Sequence, residues 1–135
     1  MEFGETCFET LKREVMEESG LNIEVGNRLT NFWQWTFKKG NGDENQIIAG
    51  GIVCRAITQN IDFSNQTQTD DLIEGKWVPI DMILNYDLIP NLVPTMQEFI
   101  KVYKELKLKG EPIFIHGVDQ NLYNSDYTGD IKRRR

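Results

Sequence analysis

The first hydrophobic pattern in the chain has the spacing of an α-helix. The apolar side chains that recur at this spacing are Phe8, Leu11 and Val15. Thr6 precedes them with Glu9 three residues later, an arrangement typical of a capping box. Gly20 stands where helices commonly end. The pattern therefore predicts a helix over residues 6–19 with one apolar face.

The next part of the chain has the composition of β-strands. Branched and aromatic residues are dense in residues 21–25 and 29–38, and they return in residues 46–58. The polar, glycine-rich run 39–44 separates the last two of these segments and is typical of a turn. We therefore expect a strand followed by a hairpin.

The remaining residues predict a loop, a second helix and a tail. Residues 59–71 are polar, and residues 95–108 have a helical repeat of apolar side chains. The side chains expected to point inward from this helix are Met96, Phe99, Ile100, Tyr103 and Leu106. Shorter elements are expected as a strand at 76–79, a helical turn at 81–84 and a strand at 113–115. Since no linker divides the chain, we predict one α/β domain over residues 1–118 and a tail over residues 119–135.

Composition and charge narrow the functional classes. The chain has 135 residues, of which 39% are hydrophobic and 27% charged, which fits one globular domain and excludes disorder throughout. The net charge of −6 disfavours a nucleic-acid partner, because an acidic surface repels the phosphate backbone. A nucleotide ligand stays compatible with this charge where metal cations mediate the contact.

Targeting segments and the number of cysteines indicate the cellular compartment. No apolar run approaches the ~20 residues of a membrane helix, and the first residues do not resemble a signal peptide. Cys7 and Cys54 are too few for a disulfide framework or a zinc site. We expect a cytoplasmic protein without a membrane partner.

Three acidic residues of the first predicted helix carry the strongest chemical signal. Glu14, Glu17 and Glu18 fall within about 100° of one another on a helical wheel, beside the apolar stripe. This position predicts that the three carboxylates lie at the edge of a cleft. The alternative interpretation is that they form a solvated face of the helix. Like charges four residues apart repel by about 0.2–0.5 kcal/mol, an effect that Arg13 offsets only in part. The remaining repulsion favours a bound cation.

The ligand types indicate which cation to expect. With one histidine and no cysteine pair, oxygen atoms alone would hold the ion, which favours Mg²⁺ or Mn²⁺. Protein-bound Mg²⁺ usually shares its coordination sphere with substrate phosphates. The stripe therefore indicates phosphate-ester or phosphoanhydride chemistry.

The residues around the stripe repeat the spacing of a known motif. Glu5 is followed, after seven residues, by Arg13-Glu14-Val15-Met16-Glu17-Glu18-Ser19-Gly20-Leu21. This string resembles the Nudix box, Gly-x5-Glu-x7-Arg-Glu-U-x-Glu-Glu-x-Gly-U, where U is aliphatic. Six fixed residues and two aliphatic positions match. At ordinary residue frequencies, such a match arises by accident with a probability on the order of 10⁻⁸ per starting point.

The resemblance implies a metal-dependent pyrophosphohydrolase that acts on nucleoside diphosphates linked to another group. The implied fold is an α/β/α sandwich with a mixed sheet. Glu14, Glu17 and Glu18 take the metal-ligand positions, and Glu14 or Glu17 would share in activating water. Arg13 would orient one of these carboxylates by hydrogen bonds, and Glu5 would be an outer acid near the metal ions.

The family often has a further acid in the loop before a strand that contains tryptophan. Residues 71–81, which include Trp77, resemble that region. Asp71 is the first candidate for the further acid and Glu74 the second, and a solvated loop carboxylate is the alternative for both. A nucleoside triphosphate, including an oxidised one, fits the small domain as substrate, and ADP-ribose or a dinucleoside polyphosphate fits as well.

The chain departs from the family pattern at its start. The opening glycine of the box would fall before Met1, and the family normally has one or two strands upstream. We expect a domain that lacks these strands, with the resemblance covering roughly residues 1–108. A missing strand bares a sheet edge, so we expect a homodimer or element swap to cover it, or residues 113–115 to do so. The alternative function is a non-catalytic Nudix-like module or an inactive fragment.

Aromatic residues of the predicted hairpin are candidates for substrate contact. Trp33 and Trp35 share one face of the strand because side chains alternate between faces. Stacking of a base on either ring is one interpretation. Packing in the core is the favoured alternative.

Overall fold

The computed structural model describes residues 1–66 and 72–119, which form two α-helices and one two-stranded antiparallel sheet. The elements are helix α1, Cys7–Ser19; strand β1, Ile23–Lys38; strand β2, Glu44–Ala56; and helix α2, Leu92–Lys109. A short 3-10 helix, Ile80–Asn85, lies between β2 and α2. The protein is thus of mixed α/β class, as the sequence predicted.

Helix α1 has the ends that the sequence predicted. The Thr6 hydroxyl accepts a hydrogen bond from the Glu9 amide at 3.2 Å, and the Glu9 carboxylate accepts one from the Thr6 amide at 2.8 Å. Gly20 follows the helix with a φ of 73°, and a Cβ atom there would lie 2.7 Å from the carbonyl oxygen of Asp62. Both the left-handed backbone and the close approach therefore require glycine.

The hairpin has one long first strand in place of the two predicted segments. Strand β1 pairs with β2 from Ile23 opposite Ala56 to Lys38 opposite Glu44. The register shifts on both sides of Leu29. The predicted break at residues 26–28 was wrong, because these irregularities absorb the change of pattern without ending the strand.

The core lies between the first part of the hairpin and α2. The buried hydrophobic side chains of the described residues are Ile23, Val25, Val53, Ile100 and Leu106. Helix α2 begins three residues before the predicted start and contains Pro94 in its first turn. Proline is tolerated there because amides of the first turn need no partner within the helix.

Two segments predicted as short strands, residues 76–79 and 113–115, do not form regular strands. Residues 76–79 are irregular, and Trp77 is exposed with its indole N–H donating to the Gln59 carbonyl at 2.9 Å. Near residues 113–115, strand pairing within the described part of the chain is limited to an isolated bridge between His116 and Gly26. This bridge lies on the edge of β1 away from β2. Residues 113–115 are one of the covers that the sequence predicts for a bare sheet edge.

Within residues 1–66 and 72–119, neither α1 nor α2 combines the length and the apolarity that a membrane crossing requires.

Candidate active site

Arg13 lies at the centre of an acidic cluster on α1. Its guanidinium contacts Glu5 through two hydrogen bonds, from Nε to Oε1 at 2.6 Å and from Nη2 to Oε2 at 3.1 Å. Its Nη1 atom donates to Glu17 Oε2 at 3.2 Å, and Nη2 lies 3.8 Å from Glu14 Oε1. One arginine therefore joins three of the acidic residues predicted for the site.

The local sequence explains why these four side chains meet. Arg13 and Glu17 are four residues apart, which places them on the same face of the helix. Glu5 lies before the N-cap, where the backbone turns through Gly4 with a φ of 88°. The turn is closed by a hydrogen bond of 3.1 Å from the Glu5 amide to the Glu2 carbonyl. This turn brings the Glu5 carboxylate alongside the second turn of α1.

Glu5 is the most tightly held acid of the cluster. Its Oε2 atom also accepts hydrogen bonds from the Thr10 hydroxyl and from the Glu2 amide, each at 2.9 Å. The bonds from Arg13, and then the one from Glu2, lower the pKa of Glu5 from 4.5 to about 2. Glu5 in turn raises the pKa of Arg13 above its usual value. The carboxylate of Glu5 is thus ionised and already bound by protein groups, which suits an anchor for Arg13.

The three predicted metal ligands differ in their environment. The side chain of Glu17 is 35% exposed and that of Glu14 is 48% exposed. Glu18 lies on the last turn of α1 and is exposed. Over residues 1–66 and 72–119, no three acidic, histidine or cysteine side chains converge closely enough to hold a metal ion. The oxygen donors of Glu14 and Glu17, both beside Arg13, are of the type that Mg²⁺ prefers.

The two candidates for a further acid lie beyond α1. Asp71 is outside the described residues. Glu74 is exposed, and the following Gly75 packs so closely on the Ile61 and Phe63 side chains that a Cβ atom would lie 3.0 Å from each. The intervening Asp62 donates its amide to the Ser19 carbonyl at 2.8 Å. Glu74 therefore belongs to a segment that is tied to the C-terminal end of α1.

The two candidate stacking residues contact each other. The rings of Trp33 and Trp35 are 6.3 Å apart at their centroids and inclined by 13°. Both side chains are half-buried on the same face of β1, as their spacing predicted. Within the described part of the chain, the Trp33 indole N–H is buried and has no hydrogen-bond acceptor. Neither ring is among the buried core side chains, and stacking of a base on either ring stays a prediction.

Two contacts at this site were not predicted from the sequence. Thr10 binds Glu5, and Asp119 accepts a hydrogen bond from the Thr6 hydroxyl at 2.8 Å. The Thr10 contact spans five residues, and the turn before α1 at Gly4 is the sequence signal that could have indicated it. Asp119 is 113 positions from Thr6, and no local pattern indicates such a contact.

No family model, no curated protein and no solved structure matches the chain.

Proposed function

We propose that this protein is a hydrolase of the Nudix type that depends on Mg²⁺ or Mn²⁺. It would cleave the pyrophosphate bond of a nucleoside diphosphate derivative, and a nucleoside triphosphate, including an oxidised one, is the best candidate. The observation that carries this proposal is the contact of Arg13 with Glu5, Glu14 and Glu17. These are four of the fixed positions of the sequence motif, and they meet at one place on α1.

Three glutamates would bind the metal ions, namely Glu14, Glu17 and Glu18. When bound, the ions would polarise a phosphoryl oxygen and lower the pKa of an attacking water molecule. Glu14 or Glu17 would accept the proton from that water. Arg13 would orient the Glu17 carboxylate by its hydrogen bond of 3.2 Å, while Glu5 fixes Arg13 in turn.

The position of the segment after residue 71 supports a further acid close to this site. Through Gly75 and Asp62, the chain that carries Glu74 is held at the end of α1 where Glu18 lies. Glu74 would then lie within reach of a substrate phosphate. Asp71 is proposed on the sequence resemblance alone.

The wider fold and the partner are part of the same proposal. The antiparallel hairpin and the two helices would belong to an α/β/α sandwich with a mixed sheet. Among residues 1–66 and 72–119, pairing on the edge of β1 away from β2, here called its free edge, is limited to residues 115–117 next to Val25 and Asn27. A second copy of the chain would cover the rest of this edge in a homodimer.

A panel of nucleotides tests the proposed activity. The chain is incubated with nucleoside triphosphates, oxidised nucleoside triphosphates, ADP-ribose and dinucleoside polyphosphates, with Mg²⁺ and with a chelator. Metal-dependent release of a nucleoside monophosphate with pyrophosphate or a second phosphate product supports the proposal. Tight nucleotide binding without turnover would instead support a non-catalytic module. If the chain shows no turnover of any nucleotide, and Mg²⁺ does not shift its melting temperature, the enzyme proposal is overturned.

A further inference from the structure

Residues 114–119, which we call the clasp, connect the sheet with the start of α1. Its backbone pairs with the free edge of β1. The Ile115 carbonyl accepts a hydrogen bond from the Asn27 amide at 2.8 Å, and the Gly117 amide donates to the Val25 carbonyl at 3.1 Å. The clasp thus lies in a fixed register on a strand that contributes to the core.

The middle of the clasp packs closely on α1. Gly117 is buried, and a Cβ atom at this position would lie 2.7 Å from the Phe8 ring and 2.8 Å from the Gly26 carbonyl oxygen. Phe8 is on the first turn of α1. Only a glycine allows the clasp to pass between the helix and the strand at this distance.

The end of the clasp binds the N-cap of α1. Asp119 Oδ2 accepts the hydrogen bond from the Thr6 hydroxyl, whose oxygen accepts the Glu9 amide. Thr6 is also the residue next to Glu5 in the chain. The hydroxyl therefore has one role as donor and one as acceptor, and Asp119 fixes its orientation for both.

We propose that Asp119 is a positioning residue for the acidic cluster. By holding Thr6 it keeps the Glu5 carboxylate in the place where both of its oxygens bind Arg13. Arg13 contacts Glu17, so a displacement at Thr6 is passed to a proposed metal ligand through an unbroken series of bonds. Its effect on metal binding rests on the proposed function, but its effect on Arg13 does not.

Two further side-chain contacts reinforce the clasp at the sheet. The Arg55 guanidinium lies 4.6 Å from the centre of the Phe114 ring, and it donates to Glu24 at 2.8 Å. The His116 ring nitrogen Nδ1 lies 3.5 Å from the same carboxylate. These contacts hold the first residues of the clasp on the sheet. Asp119, at the other end of the clasp, contacts the N-cap of α1.

Nuclear magnetic resonance of the full chain tests this role without metal. The signal of the Arg13 Nε–H group reports its bond to Glu5, and hydrogen exchange of the Glu9 amide reports the cap. We expect Asp119→Ala to move the Arg13 signal and to speed Glu9 exchange by about three- to tenfold. Asp119→Asn retains an acceptor oxygen and should stay within about twofold of wild type. Asp87→Ala removes another exposed carboxylate and serves as the charge control.

Binding of Mn²⁺ to the same variants separates the two proposals. We expect Asp119→Ala to weaken Mn²⁺ binding by about three- to tenfold, and Asp119→Asn and Asp87→Ala to leave it unchanged. An unchanged Arg13 signal in Asp119→Ala would overturn the positioning role. If that signal moves while the wild type binds no Mn²⁺, the positioning role is supported and the metal-dependent function fails.

Discussion

Arg13 and Glu5 form a side-on ion pair, with two hydrogen bonds of 2.6 and 3.1 Å between one guanidinium and one carboxylate. This planar, two-point geometry is specific to arginine, since a lysine ammonium is a single point charge. Arg13 also reaches Glu17 and Glu14 from the same position. The pair therefore determines where the remaining acids of the cluster can lie.

The substitution Arg13→Lys tests the importance of this geometry. It keeps the charge but cannot bind both Glu5 oxygens and Glu17 at once, so the carboxylates lose their orientation. For the proposed nucleotide hydrolysis, we expect kcat/KM to fall by about 10- to 100-fold with circular dichroism unchanged. Lys12→Arg, an exposed change that preserves charge on the same helix, is the control. Equal activity of wild type and Arg13→Lys would show that the two-point contact is dispensable.

Glu5 should make stability depend on pH in the acid range. Its pKa is about 2 in the folded protein and 4.5 without these contacts, so the ionised form stabilises the fold. This stabilisation is complete above about pH 4.5 and is lost as the pH falls towards 2. We expect the melting temperature of wild type to decrease more steeply over this interval than that of Glu5→Gln.

Thermal unfolding between pH 2 and pH 7 measures this difference. Glu105→Gln, an exposed change on α2, is the control and should follow the wild-type curve. Parallel curves for wild type and Glu5→Gln would mean that Glu5 gains no such stabilisation from Arg13.

The end of α1 provides a test of the fold itself. Gly20→Ala puts a side chain on a left-handed residue, and its Cβ atom would meet the Asp62 carbonyl. We expect a loss of about 1–3 kcal/mol in the free energy of unfolding, measured with urea. Gly40→Ala is the matched control, because no atom lies within 4 Å of its Cβ position, and it should change stability by less than about 0.5 kcal/mol. Equal stability of the two variants would contradict the described contact with Asp62.

Local patterns predicted the helices and the hairpin well. The capping box at Thr6 and Glu9 and the glycine at position 20 are decided within one turn of chain, and both are present in the structure. The start of α2 was predicted three residues too late, because Pro94 lies in its first turn and the tolerance of a first turn for proline depends on where the helix starts. The continuous strand β1 could not be read from its pattern, since bulges depend on pairing with β2.

The acidic cluster was predictable only in part. Helical spacing placed Arg13 and Glu17 together, and the motif resemblance added Glu5. The sequence did not indicate that both Glu5 oxygens are occupied by protein donors, because this depends on the turn at Gly4. Asp119 was beyond prediction, since its contact with Thr6 arises from tertiary pairing of the clasp with β1.

Titration with Mn²⁺, followed by electron paramagnetic resonance, tests the central claim most directly. We compare the wild type with Glu17→Gln, which keeps the size of the side chain, and with Glu105→Gln as the control. The wild type and the control should bind Mn²⁺ with the same affinity, and Glu17→Gln should bind at least about tenfold more weakly with its fold intact. Equal Mn²⁺ affinity in all three proteins, or no binding by the wild type, would contradict a metal site at Glu17.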